Sequence, residues 1–286
     1  MSAPRSYFAI LFTVIVGLIT LAAGNVPAQI DIWVDPGHGG WDSGAEGFNG
    51  PAVPNEKELN IGVASRLENR LTALGYYAYR TQNYDTTYTQ PWQRRQIANG
   101  QRSNDQGIRS SCRLLISVHM NSVPDASKLG TLTLYAAAKY EGKDEDAYAQ
   151  DSTVAAVVQH DLMTYADVAF LFCSRDRGIV PDDSLAILKK CRMPAILVEV
   201  CFISNGCQWG NIITAGDQEL CAEGIAAGVS HYLPILLESP VLPEPVRSVA
   251  VATPSAFRVP ALLLQENFDG TTFPPTGWIQ QRCATG

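Results

Sequence analysis

Apolar residues fall into two rhythms along this chain. Short runs rich in β-branched or aromatic residues lie at 30–34 (IDIWV), 76–79, 114–118 (LLISV), 131–135 and 195–200 (AILVEV), and each predicts a strand. LLISV and AILVEV are almost continuously apolar, the pattern of strands buried on both faces of a parallel sheet. Between them the period changes to that of a helix. Leu59, Val63, Leu67, Leu71 and Leu74 recur at helical spacing behind a capping-box pattern, Asn55 with Glu58, and Gly75 is a natural stop. Further helices are predicted over 91–102, with Trp92 and Ile97 inward, over 152–165, with Val154, Val158 and Leu162 on one face, and over 218–233. The polar, acidic stretch 139–150 reads as a solvated loop. Strands alternating with helices imply the α/β class: an open, mostly parallel twisted sheet flanked by helices.

The two ends break this rhythm. Residues 1–28 read as a signal peptide: Arg5, an apolar stretch over 7–23, then a cleavage site after Ala28 with small residues at Val26 and Ala28. The α/β unit is expected to span 29–237. Pro240, Pro243, Pro245, Pro254 and Pro260 mark a linker over 238–262. The remaining residues, 263–286, read as the start of a truncated C-terminal module.

With 286 residues, 46% of them hydrophobic and 17% charged, the chain is globular in composition. Its formal charge of -7 and lack of a basic block exclude nucleic acid as an expected partner. Membrane contact is expected only through the signal segment. Seven cysteines in an exported chain favour disulfides, though the sequence does not choose their pairing.

Candidate chemistry clusters at strand ends. His38 follows the first strand within Gly37-His38-Gly39-Gly40, His119 follows LLISV, Glu199 lies inside or at the end of the AILVEV strand, and Glu56 opens the first helix. Ligand sites of open α/β sheets lie outside the carboxyl ends of the strands, so these residues converge. His38, Glu56 and His119 would make a His2Glu zinc set with one position left for water, and Glu199 would be free to act as a base. Glu58 is the rival ligand, but it suits the helix cap better. The glycine-rich turn is not a dinucleotide loop, because Asp42 sits where the third glycine belongs. His160 and His231 lie on predicted helices and read as structural.

The segments DPGHGG (35–40), NEKELN (55–60), SVHMNS (117–122), RG (177–178) and MPAILVEVCFISN (193–205) occur in an order that resembles the type 3 N-acetylmuramoyl-L-alanine amidase family. The resemblance implies zinc held by His38, Glu56 and His119 at the carboxyl ends of the strands, with Glu199 as the catalytic acid/base. It also implies peptidoglycan as substrate, in some members with a protein activator, and a periplasmic or extracellular, wall-associated location. Asn121 and Arg177 are candidate substrate contacts. Two other functions fit the same residues: a zinc peptidase acting within the stem peptide, and a peptidoglycan-binding or activator protein without catalysis. The chain departs from the family pattern at Cys201, where glycine is usual, and in a small insertion over 104–111. The tail pattern NFDG…FPPTGW resembles the opening of jelly-roll modules of secreted adhesins.

Overall fold

A computed structural model describes residues 30–50, 54–83, 88–108, 112–140, 143, 145–170 and 173–238. The signal segment 1–28, the module start at 263–286, Cys283 and all of the linker but Glu238 lie outside the described residues.

Six strands form one sheet: β1 (Asp31–Pro36), β2 (Tyr77–Arg80), β3 (Cys112–Asn121), β4 (Thr131–Tyr135), β5 (Asp176–Pro181) and β6 (Ala195–Phe202). Among the described residues, five helices connect or flank them: α1 (Glu56–Ala73), α2 (Pro91–Ala98), α3 (Glu145–Ala169), α4 (Gly206–Ile212) and α5 (Ala215–Glu238). The strand order is β2-β1-β3-β6-β4-β5. Every pairing is parallel except β4 with β6, which is antiparallel. The expected mostly parallel α/β sheet is therefore what forms.

The chain leaves β1 through α1 to β2 on one side, then returns through α2 to β3 on the other. This reversal places a crevice at the carboxyl ends of β1 and β3, where such sheets bind ligands. Burial explains the sheet. β1 is buried along its whole length, and β3 from Leu114 to Val118. On one face α5 packs against both α1 and α3. On the other, Trp33, Leu115 and Leu197 cluster with Ile97 and Ala98 of α2 and with Ile187, Leu188, Cys191 and Met193. Cys201 is fully buried on β6, with its Sγ 3.8 Å from the Met120 Sδ.

Three expectations need correction. The stretch 139–150 is not a solvated loop throughout. α3 begins at Glu145, and Lys143 is buried in an ion pair with Asp151 of that helix. Asp151 Oδ1 also accepts the Ala195 N–H at 2.9 Å, so the pair fastens α3 to the start of β6. Trp92 does not point inward; it is 44% exposed. The buried face of α2 carries Pro91, Arg94, Ile97 and Ala98, and Trp92 lies off it. That helix also stops at Ala98, where Gly100, at φ 68°, turns the chain away.

The sequence reading did not include β5 or α4. Asn205 starts α4 by accepting the N–H groups of Cys207 and Gln208. A disulfide between Cys173 and Cys207 joins this helix to the segment after α3. Cys112, Cys191, Cys201 and Cys221 are free thiols.

Candidate metal centre

The parallel register pairs His119 with Glu199 across β3 and β6. Partners in a ladder leave the same face of the sheet, so the two side chains share a side. On the neighbouring strand, β1 ends at Pro36 and Gly37 donates its N–H to the Val118 carbonyl at 2.9 Å. This stitch brings the turn that carries His38 alongside His119. A Cβ on Gly37 would lie 2.3 Å from the His119 ring, so only glycine allows this approach.

Glu56 comes from the first turn of α1. The helix start is held by the preceding loop: the Glu56 N–H donates to the Ala45 carbonyl at 3.0 Å, and the Lys57 N–H to the Ser43 carbonyl at 3.1 Å. In return the Ala45 N–H donates to Glu56 Oε2 at 2.9 Å. Gly44, at φ 68°, permits that contact, since a Cβ there would sit 2.7 Å from the Glu56 side chain. Glu58 accepts the Asn55 N–H at 2.9 Å, which makes it the capping partner rather than a member of the cluster.

Glu56 Oε1 is the centre of the arrangement. It lies 3.1 Å from His38 Nε2 and 3.0 Å from His119 Nδ1. The two imidazoles meet edge to face, with centroids 4.9 Å apart. One ligand atom from each of His38, Glu56 and His119 lies within 4.8 Å of the others, which suits a metal ion. Imidazole nitrogen and carboxylate oxygen are donors that zinc accepts. Asn60 Nδ2 donates to Glu56 Oε1 at 3.4 Å and to the Gly37 carbonyl at 3.2 Å.

Electrostatics follow from burial around a compact set of charges. Burial pushes the His38 ring down, but the Glu56 charge and the bonds from Asp42 and Glu56 outweigh it and lift the ring to about 10. Burial likewise pushes Glu56 up, yet the His38 charge and the His119 bond hold its carboxyl well below the usual range. For His119 burial dominates and its pKa falls. Glu199 is pushed up to about 8 by burial and by the Glu56 charge. Its Oε2 is buried with no hydrogen-bond partner among the described residues, a costly state for a polar atom with no task.

The structure thus brings His38, Glu56, His119 and Glu199 together. Asn121 ends β3 opposite Phe202, with its Nδ2 buried and without a hydrogen-bond partner among the described residues. Arg177 lies on β5, where its Nε donates to the Leu129 carbonyl at 2.6 Å and its guanidinium sits 4.9 Å over the Phe202 ring. His160 and His231 are exposed and both bond Asp161, away from the cluster.

Sequence reasoning missed three supporting residues. Asp42 Oδ2 lies 2.9 Å from His38 Nδ1. Gln82 Nε2 donates to the carbonyls of Pro36, at 2.7 Å, and His38. Arg94 Nη1 donates to the Pro36 carbonyl at 2.7 Å and pairs with buried Asp35 at 3.3 Å. For Asp42 a signal existed, an acid four residues after a candidate ligand histidine.

Comparison with known proteins agrees with this architecture. Residues 32–231 match the family model described as N-acetylmuramoyl-L-alanine amidase. The amidase LytC of Bacillus subtilis is 31% identical over 202 residues, 70% of this chain and 35% of LytC. The amidase AmiC of Neisseria meningitidis is 28% identical over 230 residues, 71% of this chain and 52% of AmiC. The chain therefore spans between a third and about half of the length of these two relatives. Among solved structures, an N-acetylmuramoyl-L-alanine amidase from Clostridium difficile 630 superposes with a TM-score of 0.59 at 30% identity, covering 73% of this chain and 98% of that one. The catalytic domain of the Bacillus (Paenibacillus) polymyxa amidase CwlV gives 0.56 at 25% identity, covering 72% and 99%. The chain belongs to the N-acetylmuramoyl-L-alanine amidase family.

Proposed function

We propose that this chain is an exported zinc hydrolase that cuts the amide bond between N-acetylmuramic acid and L-alanine in peptidoglycan. The observation that carries this reading is the convergence of two imidazoles on one buried carboxylate oxygen, Glu56 Oε1, in a chain of the amidase family. His38, Glu56 and His119 would hold the ion. When bound, zinc supplies a Lewis acid that lowers the pKa of water from about 15.7 to about 7 and polarises an amide carbonyl.

The proton work falls to Glu199. Its unpartnered Oε2 takes a proton from the attacking water and returns it to the alanine nitrogen, which then leaves as an amine rather than an amide anion. Burial and the Glu56 charge raise its affinity for a proton, which suits a carboxyl that must take one from water. A dication nearby favours its ionised form.

The buried amide nitrogen of Asn121 is assigned to orient the substrate. Arg177 is assigned to the acidic stem peptide; it stacks on Phe202, the strand partner of Asn121. Export is supported by the apolar segment over 7–23 and by the Cys173–Cys207 bond, since disulfides persist in oxidising compartments. A periplasmic or extracellular site at the cell wall follows.

The test is mass spectrometry of soluble products from purified peptidoglycan digested with the zinc-loaded protein. Free stem peptides with an intact L-alanine amino end, and glycan strands stripped of peptide, are expected. Peptides cut internally would replace the reading with a peptidase. Absence of both products and stoichiometric zinc would replace it with a binding role.

A further inference from the structure

An exposed tryptophan stands beside the metal cluster. Gly39 and Asp42 exchange backbone hydrogen bonds of 2.9 and 3.1 Å, which leaves Gly40 and Trp41 at the tip of a tight reverse turn. Lys57 Nζ fastens the tip by donating to the Gly40 carbonyl at 3.0 Å. Trp41 is 78% exposed, although the next side chain, Asp42, holds His38. Tyr88 backs its ring, with centroids 4.4 Å apart and planes at 42°. The Tyr88 hydroxyl donates to Gln90 Oε1 at 3.1 Å, at the residue before α2, and Arg94 of α2 bonds the Pro36 carbonyl at the foot of the same turn. The indole is thus presented to solvent on a fastened mount, and tryptophan and tyrosine are residue types enriched at contact surfaces.

We propose that Trp41, backed by Tyr88, is a stacking platform for a pyranose ring of the glycan strand next to the scissile bond. The proposal rests on the amidase reading above. The bond cut there joins a sugar's lactyl group to a peptide, so a pyranose ring must lie a few bond lengths from the reacting carbon. A pyranose offers a flat face of C–H groups, which matches the electron-rich face of an indole and needs no charge. The neighbouring carboxylate of Asp42 disfavours the other half of the substrate, the acidic stem peptide, at this position.

The experiment titrates the full chain with chitotetraose, a peptide-free β-1,4 glycan, followed by saturation-transfer NMR and tryptophan fluorescence. Trp41→Ala is expected to weaken binding about tenfold, and Trp41→Phe by no more than about threefold. With peptidoglycan as substrate, Trp41→Ala should raise KM more than it lowers kcat. Equal chitotetraose affinity in Trp41→Ala and the parent overturns the proposal. So does an unchanged glycan affinity with lost binding to anionic vesicles, which would assign the ring to a membrane surface. Glycan binding needs no turnover, so the two readings fail separately. An inactive protein that binds chitotetraose through Trp41 keeps the platform and loses the amidase. An active one whose glycan affinity ignores Trp41 does the reverse.

Discussion

Asp42 grips His38 from behind: its Oδ2 lies 2.9 Å from the ring Nδ1, which leaves Nε2 facing Glu56 at 3.1 Å. The grip acts on a residue held at φ 62°, in the left-handed region that side chains other than glycine seldom adopt. Gln82 secures that backbone by donating to the carbonyls on either side of Gly37. Orientation of the ring is therefore settled before any ion arrives, by a carboxylate–histidine contact of the kind that tunes metal ligands.

Removing that grip should loosen the ion without unfolding the protein. Asp42→Ala is expected to weaken zinc binding about 10- to 100-fold, and Asp42→Asn by less, since an amide can still engage the ring. Competition against a chromophoric chelator measures both. Unchanged affinity in Asp42→Ala would mean that Gln82 and the turn alone orient His38.

Glu199→Gln separates metal binding from proton transfer. The amide keeps the shape but neither accepts nor returns a proton at neutral pH. The variant should bind zinc as the parent does and lose about 10²- to 10⁴-fold in turnover on peptidoglycan. Full activity would sink Glu199 as the acid/base, and lost zinc would make it a ligand.

The titration of His38 predicts how zinc binding depends on pH. Its ring is lifted to about 10 in the folded chain, against an ordinary value of 6.5. A raised pKa means that the protonated ring stabilises the zinc-free fold fully below about 6.5, and that this contribution fades as pH rises through about 10. Zinc requires the neutral ring, so binding must expel the proton. Affinity should therefore rise at least tenfold per pH unit between roughly pH 7 and 9, with at least one proton released per ion and a further one from Glu199 below about pH 8. Calorimetry in two buffers of different ionisation enthalpy counts these protons. An affinity flat across this range would contradict the assignment.

What could be read from the sequence follows from burial. β3 and β6 lie in the middle of the sheet, so their continuous apolar runs announce them. β5 is an edge strand in which Gly178 and Val180 are the buried positions, too few for an alternation to show. α4 has seven residues, about two turns, too few for an apolar face to recur clearly. Lys143 misleads because a lysine is normally solvated, and its burial depends on Asp151, eight residues away in the helix it adjoins. The same division holds at the site. His38, His119 and Glu199 are legible because the first follows β1 and the other two lie near the carboxyl ends of β3 and β6, strands that the pattern reveals. Gln82 was not, because it reaches His38 across 44 residues of chain through a backbone carbonyl, a contact that leaves no residue pattern.

The Cys173–Cys207 bond should matter to stability through the same site-bearing loop. It ties α4 down across a separation of 34 residues. That helix carries Trp209, packed where a Cβ on Gly47 would sit, and Gly206, packed against Phe48. Both contacts hold the loop that leads into Glu56. Closing a loop of this length constrains the unfolded chain by about 3 to 4 kcal/mol. Replacing both cysteines by serine should therefore lower stability by about 3 kcal/mol, or roughly 10 °C in Tm for a domain of this size. Calorimetry with and without reductant checks this, and reduced parent protein should match the double variant. If Cys173→Ser/Cys207→Ser melts with the oxidised parent, the bonds from Asn205 to Cys207 and Gln208 and the packing of Trp209 already hold α4, and the cross-link adds nothing to them.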